Sequence, residues 1–194
     1  MPPDDLIKVA TALVRKARRS NVVVAAIDGA GGAGKSTLAA GIRHQLGELV
    51  SIVRGDDFYR PLHSDERAQL DAEYGYRNFF DWQRMRDEAL VPLRAGTDTK
   101  YQPYDWLSGQ LRGWIEVKRK PIIVVEGVYS TRPELRDLID VAVFVDTPRE
   151  TRLARMQARA QNETNWIERW MAAEDWYLEH VRPMETADFV VNGS

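Results

Sequence analysis

Short runs of apolar, mostly β-branched residues alternate along the chain with longer stretches of helical periodicity. The apolar runs occupy residues 22–27, 49–53, 122–125, 141–145 and 189–191. They are apolar at nearly every position, which is typical of parallel strands covered by helices on both sides. The helical stretches are residues 35–46, 81–94, 133–138, 148–161 and 165–181, after an apolar stripe of helical spacing within residues 1–20. This alternation predicts a layered α/β fold.

Residues 97–118 interrupt the alternation. Two extended pieces around Ser108, Gly109 and Gly113 predict a hairpin-like flap inserted into a single domain spanning residues 1–194. The flap is rich in aromatic residues that either pack it onto the body or face a ligand, namely Tyr101, Tyr104, Trp106 and Trp114.

Composition excludes several classes of protein. The 194 residues include no cysteine, which rules out disulfide scaffolds, cysteine-ligated zinc and thiol catalysis and predicts a reducing, cytoplasmic location. A net charge of -2 provides no basic field for a nucleic-acid partner. No apolar run approaches the roughly 20 residues of a membrane span, and residues 1–20 lack the order of a signal peptide. A small molecule is therefore the expected partner.

A glycine-rich motif lies between the first predicted strand and the first long helix. Residues 29–36 fit the pattern G-x-x-x-x-G-K-[ST], and Thr37 follows. Glycines allow backbone N–H groups to surround an anion, and the helix start adds its positive end. Lys35 would reach the β- and γ-phosphates and Ser36 would bind Mg²⁺. The motif predicts a nucleoside triphosphate site formed by Gly29, Ala30, Gly31, Gly32, Ala33, Gly34, Lys35, Ser36 and Thr37.

Acidic residues follow two other predicted strands. Asp56 and Asp57 come after the second strand, and Glu126 ends the run at residues 122–125. Ligands bind beyond the carboxyl ends of parallel strands, so these side chains are expected beside the phosphate loop. One aspartate could take a proton from an attacking hydroxyl, and Glu126 could order Mg²⁺ or its waters. The alternatives are a solvated turn or a helix cap. Because neighbouring side chains of an extended strand point to opposite sides, we expect only Asp56 to be the base.

The helical stretch at residues 148–161 carries a row of arginines. Arg152, Arg155 and Arg159 have a spacing of i, i+3, i+7, which places them on one helical face. Either they cover phosphate groups, with residues 148–164 as a lid, or they form a solvated face in which one of them pairs with Glu150.

The order of these motifs resembles the uridine kinase and phosphoribulokinase-like branch of the P-loop kinases. The similarity runs from about residue 22 to residue 193. It rests on the phosphate loop, Asp-Asp-Phe-Tyr at 56–59, Tyr-Asp-Trp at 104–106, Val-Glu-Gly at 125–127, Asp-Thr-Pro at 146–148 with the arginines after it, and Ala-Asp-Phe-Val-Val at 187–191.

The resemblance implies a P-loop NTPase sandwich with a five-stranded parallel sheet and a mobile, arginine-bearing lid. It implies ATP-dependent, Mg²⁺-assisted phosphorylation of a hydroxyl on a small acceptor such as a nucleoside. Asp56 matches the general base, and we place it on the metal side with Ser36 and Glu126. Lys35 and Ser36 match the phosphate and Mg²⁺ ligands and Glu126 the metal-side acid, while Arg152, Arg155 and Arg159 match lid positions. Tyr59 and Tyr104 match acceptor-pocket positions, and we assign Asp57 and Trp106 to the same pocket.

Two departures bear on the acceptor. Uridine kinases carry Asp-His-Pro before the helix that starts near residue 81, where this chain has Gly-Tyr-Arg-Asn at 75–78, and a histidine where this chain has Gly109. We therefore expect an enzyme that is not a strict uridine or cytidine kinase. Pantothenate, a sugar and a nicotinamide riboside-like compound are the alternative acceptors, and a regulatory NTPase is the alternative class.

The C-terminal helical stretch is rich in aromatic residues. Trp166, Trp170 and Tyr177 recur at helical spacing, with Met171 and Trp176 between them. This pattern predicts either core packing or the face of a homodimer.

Overall fold

The computed structural model describes residues 2–158 and 164–194. In chain order the strands are β1 (Val23–Asp28), β2 (Val50–Arg54), β3 (Thr99–Tyr101), β4 (Tyr104–Asp105), β5 (Gln110–Leu111), β6 (Ile115–Val117), β7 (Ile122–Glu126), β8 (Val141–Asp146) and β9 (Phe189–Asn192). Five of them form a sheet in the order β2-β7-β1-β8-β9, and every pairing in it is parallel. All five predicted strands are therefore confirmed.

Helices and turns of helix connect the strands. The α-helices are α1 (Pro3–Ala17), α2 (Lys35–Leu46), α3 (Ser64–Gln69), α4 (Ala72–Asn78), α5 (Trp82–Arg84), α6 (Val91–Arg94), α7 (Arg149–Ala158) and α8 (Thr164–His180). A π-helical segment, Met85–Leu90, joins α5 to α6. Short 3₁₀ helices span Gly47–Leu49, Gly55–Phe58, Pro133–Leu138 and Pro183–Thr186. Within the described residues, no helix combines the length and apolar character needed to cross a membrane.

The sheet is covered on both faces, as its apolar strands predict. Val23 and Ala25 of β1 point to one face and pack in a core with α1 and α2. Val24 and Ala26 point to the other face and pack with α6, the π-helical segment and the flap. The residues on both faces of the strand are therefore buried, which explains the uninterrupted apolar runs in the sequence.

The helix predicted at residues 81–94 is continuous but changes its winding. Pro92 has no N–H group, so the carbonyl of Glu88 loses the partner that an α-helix would give it. The Thr99 hydroxyl donates a hydrogen bond to that carbonyl instead. The π-helical segment lies at this point, as expected where the regular hydrogen-bond ladder is interrupted. The stretch predicted as helical at 133–138 is a 3₁₀ helix.

The sequence did not predict the two helices between β2 and α5. In α4, Gly75 packs against α8, and a Cβ atom there would come within 2.8 Å of the Phe79 ring and 3.0 Å of Ala173 Cβ. Glycine is a poor helix former, so this sequence contains no strong helical signal, and tertiary contact with α8 stabilises the helix.

The flap consists of two short antiparallel ladders in line. Strand β3 pairs with β6, and β4 pairs with β5. The turn of the inner ladder contains Gly109 at φ +69°, a backbone conformation that glycine adopts without a steric penalty.

Candidate active site

The phosphate loop connects β1 to α2 at the carboxyl end of the sheet. Gly29, Gly32 and Gly34 have φ of +140°, +75° and +105°, which only glycine adopts readily. A Cβ atom at Gly29 would lie 2.5 Å from the Val145 carbonyl oxygen, so a side chain there would also collide with β8. Helix α2 begins at Lys35, and the amides of its first turn have no acceptor within the helix. The loop is therefore shaped to offer N–H groups to an anion.

The remaining loop residues contact their surroundings in distinct ways. Ala30 and Ala33 are buried, and the Ala33 carbonyl accepts a hydrogen bond of 2.9 Å from the Thr147 hydroxyl. The Lys35 ammonium folds back and donates to the Ala30 carbonyl at 3.0 Å. Ser36 and Thr37 line the cleft that the loop borders.

A buried aspartate holds the start of the loop in place. The Asp28 carboxylate is inaccessible to solvent and accepts the N–H groups of Gly29 at 2.6 Å, Tyr129 at 3.0 Å and Thr131 at 2.9 Å. It also accepts the hydroxyls of Thr131 and Tyr177, each at 2.6 Å. Asp28 thereby joins the phosphate loop, the segment after β7 and helix α8.

The predicted metal-side residues lie together. The Ser36 hydroxyl is 3.2 Å and 3.1 Å from the two oxygens of the Glu126 carboxylate. In the sheet, Glu126 is paired in register with Ile27 on one side and Arg54 on the other, which brings it level with the end of β1. Asp56 borders the same cleft. These oxygen atoms are the hard ligands that Mg²⁺ prefers.

The donor set fits Mg²⁺ in company with phosphate. No group of three or more histidine, cysteine, aspartate or glutamate residues within 2–158 and 164–194 could hold a metal by itself. Mg²⁺ commonly takes one or two protein ligands and fills its octahedron with waters and substrate phosphate oxygens. Ser36 and Glu126 match that arrangement, so this site would depend on nucleotide to complete it.

Asp56 and Asp57 have different surroundings. Residues Gly55–Phe58 form a 3₁₀ turn, so the expectation that both aspartates leave an extended strand was wrong. Asp56 borders the phosphate cleft, whereas the Asp57 carboxylate accepts a hydrogen bond of 2.9 Å from the Tyr101 hydroxyl of β3. The two side chains therefore diverge, although for a different reason from the predicted one.

The acids of the cleft are harder to ionise than free carboxyls. Asp56 is open to the cleft yet closely surrounded by protein, and this desolvation raises its pKa against the opposing charges of Lys35 and Arg54. Burial, and then the charge of Asp56, raise the pKa of Glu126, which Lys35 and the Ser36 hydroxyl partly offset. A raised pKa brings a carboxylate closer to the value that suits a general base.

The lid arginines reach the phosphate loop from helix α7. Arg152 is buried, donating from Nε to the Thr147 carbonyl at 3.2 Å and from Nη1 to Glu174 at 3.3 Å. Arg155 donates from Nη1 to the carbonyls of Gly32 and Gly193 at 3.1 and 2.9 Å. Two of the three arginines thus contact the loop or its supports instead of forming a solvated face. Arg159 lies outside the described residues.

Three of the four residues assigned to the acceptor pocket are brought together as a packed cluster, whereas Asp57 pairs with Tyr101 instead. The ring of Tyr59 lies 5.0 Å from Tyr104 and 4.8 Å from Trp106, and those two are 5.0 Å apart. Tyr59 is fully buried and Tyr104 nearly so, while Trp106 is 47% exposed. Trp170 of α8 packs on Tyr59 at 5.6 Å. Tyr59 and Tyr104 are therefore interior residues here, and Trp106 is the member with a large exposed surface.

Helix α8 contributes to both the core and the site. Tyr177 is buried and Trp166 and Trp170 pack in the same aromatic core, in agreement with the core-packing alternative. Glu174, which the sequence analysis did not single out, is fully buried at the phosphate loop. Asp28 was also not predicted, although its position at the end of a strand directly before the motif could have indicated a role at the loop. Glu174 lies inside an aromatic helix, where no local pattern indicates such a role.

Comparison with known proteins agrees with this geometry. The model of the phosphoribulokinase/uridine kinase family matches residues 24–193. The chain is 30% identical over 163 residues to a uridine kinase of Clostridium perfringens, covering 81% of this chain and 76% of that protein. A possible uridine kinase from Bacillus stearothermophilus superposes over 97% of both chains with a TM-score of 0.75 and 23% identity. D-glycerate 3-kinase from Cryptococcus neoformans superposes with a TM-score of 0.61 and 14% identity, over 97% of this chain and 95% of that one.

The parallel sheet, the phosphate loop and these likenesses define a P-loop kinase fold. Within that class, the chain belongs to the phosphoribulokinase/uridine kinase family.

Proposed function

We propose that this protein transfers the γ-phosphoryl group of ATP, with Mg²⁺, to a hydroxyl of a small metabolite. The observation that carries the proposal is a single cleft in which Asp56 faces the phosphate-binding residues Lys35 and Ser36 and the acid Glu126. Phosphoryl transfer to a hydroxyl needs a base beside the phosphates and not only a nucleotide site, and Asp56 offers that base. Membership of the phosphoribulokinase/uridine kinase family supports the same reaction class.

Each side chain has a separate role in the proposed reaction. Asp56 accepts the proton of the attacking hydroxyl, and its raised pKa makes it a stronger base than a solvated aspartate. Lys35, Arg152 and Arg155 stabilise charge on the transferring group. Ser36 and Glu126 hold Mg²⁺, which neutralises charge on the β- and γ-oxygens when bound.

A nucleoside is the acceptor that the sequence relatives favour. The Clostridium perfringens relative is a uridine kinase, but Gly109 offers no side chain to hydrogen-bond a base edge. A site that lacks such a donor loses strict discrimination between bases. We therefore propose a nucleoside or another ribose-bearing or compact hydroxyl compound, with the exposed face of Trp106 as the apolar surface that contacts it.

An acceptor screen tests the proposal. Release of ADP from ATP and Mg²⁺ is followed with uridine, cytidine, nicotinamide riboside, pantothenate and simple sugars. We expect acceptor-dependent turnover that Lys35→Ala lowers by about 10²-fold or more, because it removes a charge from the transition state. Lys8→Ala is the matched control, since Lys8 is exposed on α1, where its ammonium pairs with Asp5. ADP release that no acceptor stimulates would favour the regulatory NTPase, and wild-type turnover of Lys35→Ala would contradict the nucleotide site.

A further inference from the structure

A buried carboxylate of helix α8 contacts the phosphate loop directly. Glu174 is inaccessible to solvent, and its Oε1 accepts the Gly31 N–H at 2.8 Å and the indole N–H of Trp170. Its Oε2 accepts from Arg152 Nη1 at 3.3 Å. The loop is thus joined to α8 through a negatively charged group.

Burial disfavours the ionised form of Glu174. Desolvation raises the pKa of Glu174 to about 6, although Lys35, the Gly31 amide, Arg152 and the Trp170 indole all favour the ionised form. A fully buried carboxylate persists as an anion only where such donors surround it. The charged form of Glu174 therefore depends on these groups.

Those donors overlap with the groups that the proposed function assigns to ATP. Gly31 is part of the phosphate loop, and Lys35 and Arg152 are the cations assigned to the phosphates. A carboxylate and a phosphate oxygen are both anionic acceptors of similar hydrogen-bond length. One N–H of Arg152 or Gly31 cannot serve both at full strength, and a polyphosphate beside Lys35 would repel Glu174.

We propose that Glu174 is an internal anion that competes with the nucleotide phosphates for the loop and its cations, and so sets a lower nucleotide affinity than the loop alone would give. This inference rests on the proposed function. It assigns Glu174 to the nucleotide site as an affinity-determining residue. It also implies that nucleotide binding weakens the contact between α8 and Gly31.

The test measures ATP binding by isothermal titration calorimetry, without acceptor, for two variants. Glu174→Gln keeps the shape of the side chain but removes its charge, and Glu174→Asp keeps the charge but is too short to hold Gly31 and Arg152 together. We expect Glu174→Gln to lower the Kd for ATP by about tenfold, because a charge-assisted contact no longer opposes binding. Glu174→Asp should lower it less, because the retained charge still repels the phosphates. Glu179→Gln is the matched control, because Glu179 is exposed on the same helix, and its Kd should equal that of the wild type.

Two results overturn different parts of the argument. An unchanged or raised Kd in folded Glu174→Gln, checked by near-UV circular dichroism, would show that Glu174 supports the loop and does not compete with nucleotide. If the wild type binds ATP and Glu174→Gln gives that result, the proposed function stands and this inference fails. A wild-type protein that binds no ATP overturns the proposed function itself. If only one variant folds, its Kd alone decides between competition and support.

Discussion

Two adjacent aspartates in this protein have unequal access to the reaction. Asp56 borders the phosphate cleft, while the Asp57 carboxylate is held by the Tyr101 hydroxyl of the flap. The 3₁₀ turn at Gly55–Phe58 produces this divergence. At the scale of the residue, the local backbone therefore decides which carboxylate can act as a base and which one anchors the flap.

Exchange of each aspartate for asparagine distinguishes these roles. Asp56→Asn should lower kcat by about 10²- to 10⁴-fold, because asparagine cannot accept the hydroxyl proton. The Kd for ATP should change little. Asp57→Asn, the matched control, keeps an acceptor for the Tyr101 hydroxyl and should reduce kcat much less. Steady-state kinetics with the best acceptor of the screen measures both, and a larger loss in Asp57→Asn would move the base one residue along.

At the scale of the element, the flap presents two exposed tryptophans in different places. Trp106 lies against Tyr59 and Tyr104, whereas Trp114 is 62% exposed and the Lys100 ammonium lies over its ring, 5.1 Å from the centroid. The first packs on Tyr59 together with Trp170, which lines the cleft, and the second lies directly before β6. The flap therefore supplies its own control for a role in acceptor binding.

Trp106→Ala should lower kcat/KM for the acceptor by about tenfold, because a ring face of this size contributes about 1 kcal/mol or more to an apolar contact. The KM for ATP should stay the same. Trp114→Ala should stay within about twofold of wild type for both substrates, since its ring is largely exposed and lies outside the aromatic cluster. Equal losses in the two variants would mean that the flap acts through its stability and not through contact with the acceptor.

Elements with a strong periodic pattern were predictable, and elements made by tertiary contact were not. The apolar runs of β1 and β7 identify buried parallel strands without further information. Helix α4 is capped by Asp71, but Gly75 in its middle weakens the local signal, and packing against α8 stabilises the helix. The π-helical segment lies where Pro92 has no N–H group to offer, and the Thr99 hydroxyl, which belongs to another element, donates to the Glu88 carbonyl there.

At the scale of the whole molecule, Asp28 is the link between layers. Its carboxylate accepts five hydrogen bonds from the phosphate loop, the segment after β7 and α8. Asp28→Asn would place an amide NH₂ against the donors of Thr131 or Tyr177. We expect the free energy of unfolding to fall by about 3 kcal/mol or more, because buried donors lose a charged acceptor.

Chemical denaturation with urea measures the effect of Asp28→Asn. Asp87→Asn is the control, because Asp87 is exposed on the π-helical segment, and its free energy of unfolding should change by less than about 0.5 kcal/mol. A loss in Asp28→Asn no greater than in Asp87→Asn would contradict the linking role.

The sequence reveals the parts of the site that are contiguous in the chain and not those that folding brings together. The phosphate loop is a contiguous motif, and its glycines, Lys35 and Ser36 are where the pattern predicts them. The partners of Asp28 and Glu174 lie up to 149 and 143 residues away in the chain. Such contacts are decided by how strands and helices stack, so no local pattern contains them. The buried state of Tyr59 and Tyr104 is hidden from the sequence for the same reason.

The position of β9 bears on how this protein is made. Arg155 donates to the Gly193 carbonyl directly after β9, and a Cβ at Gly193 would collide with the Ala33 carbonyl oxygen of the loop. Ribosomes release a chain from its N-terminus, so the nucleotide motif emerges long before the segment that packs on it. A nascent chain that has not reached residue 193 carries the complete motif without that support. Assembly of the nucleotide site therefore waits until the segment at residue 193 has been made.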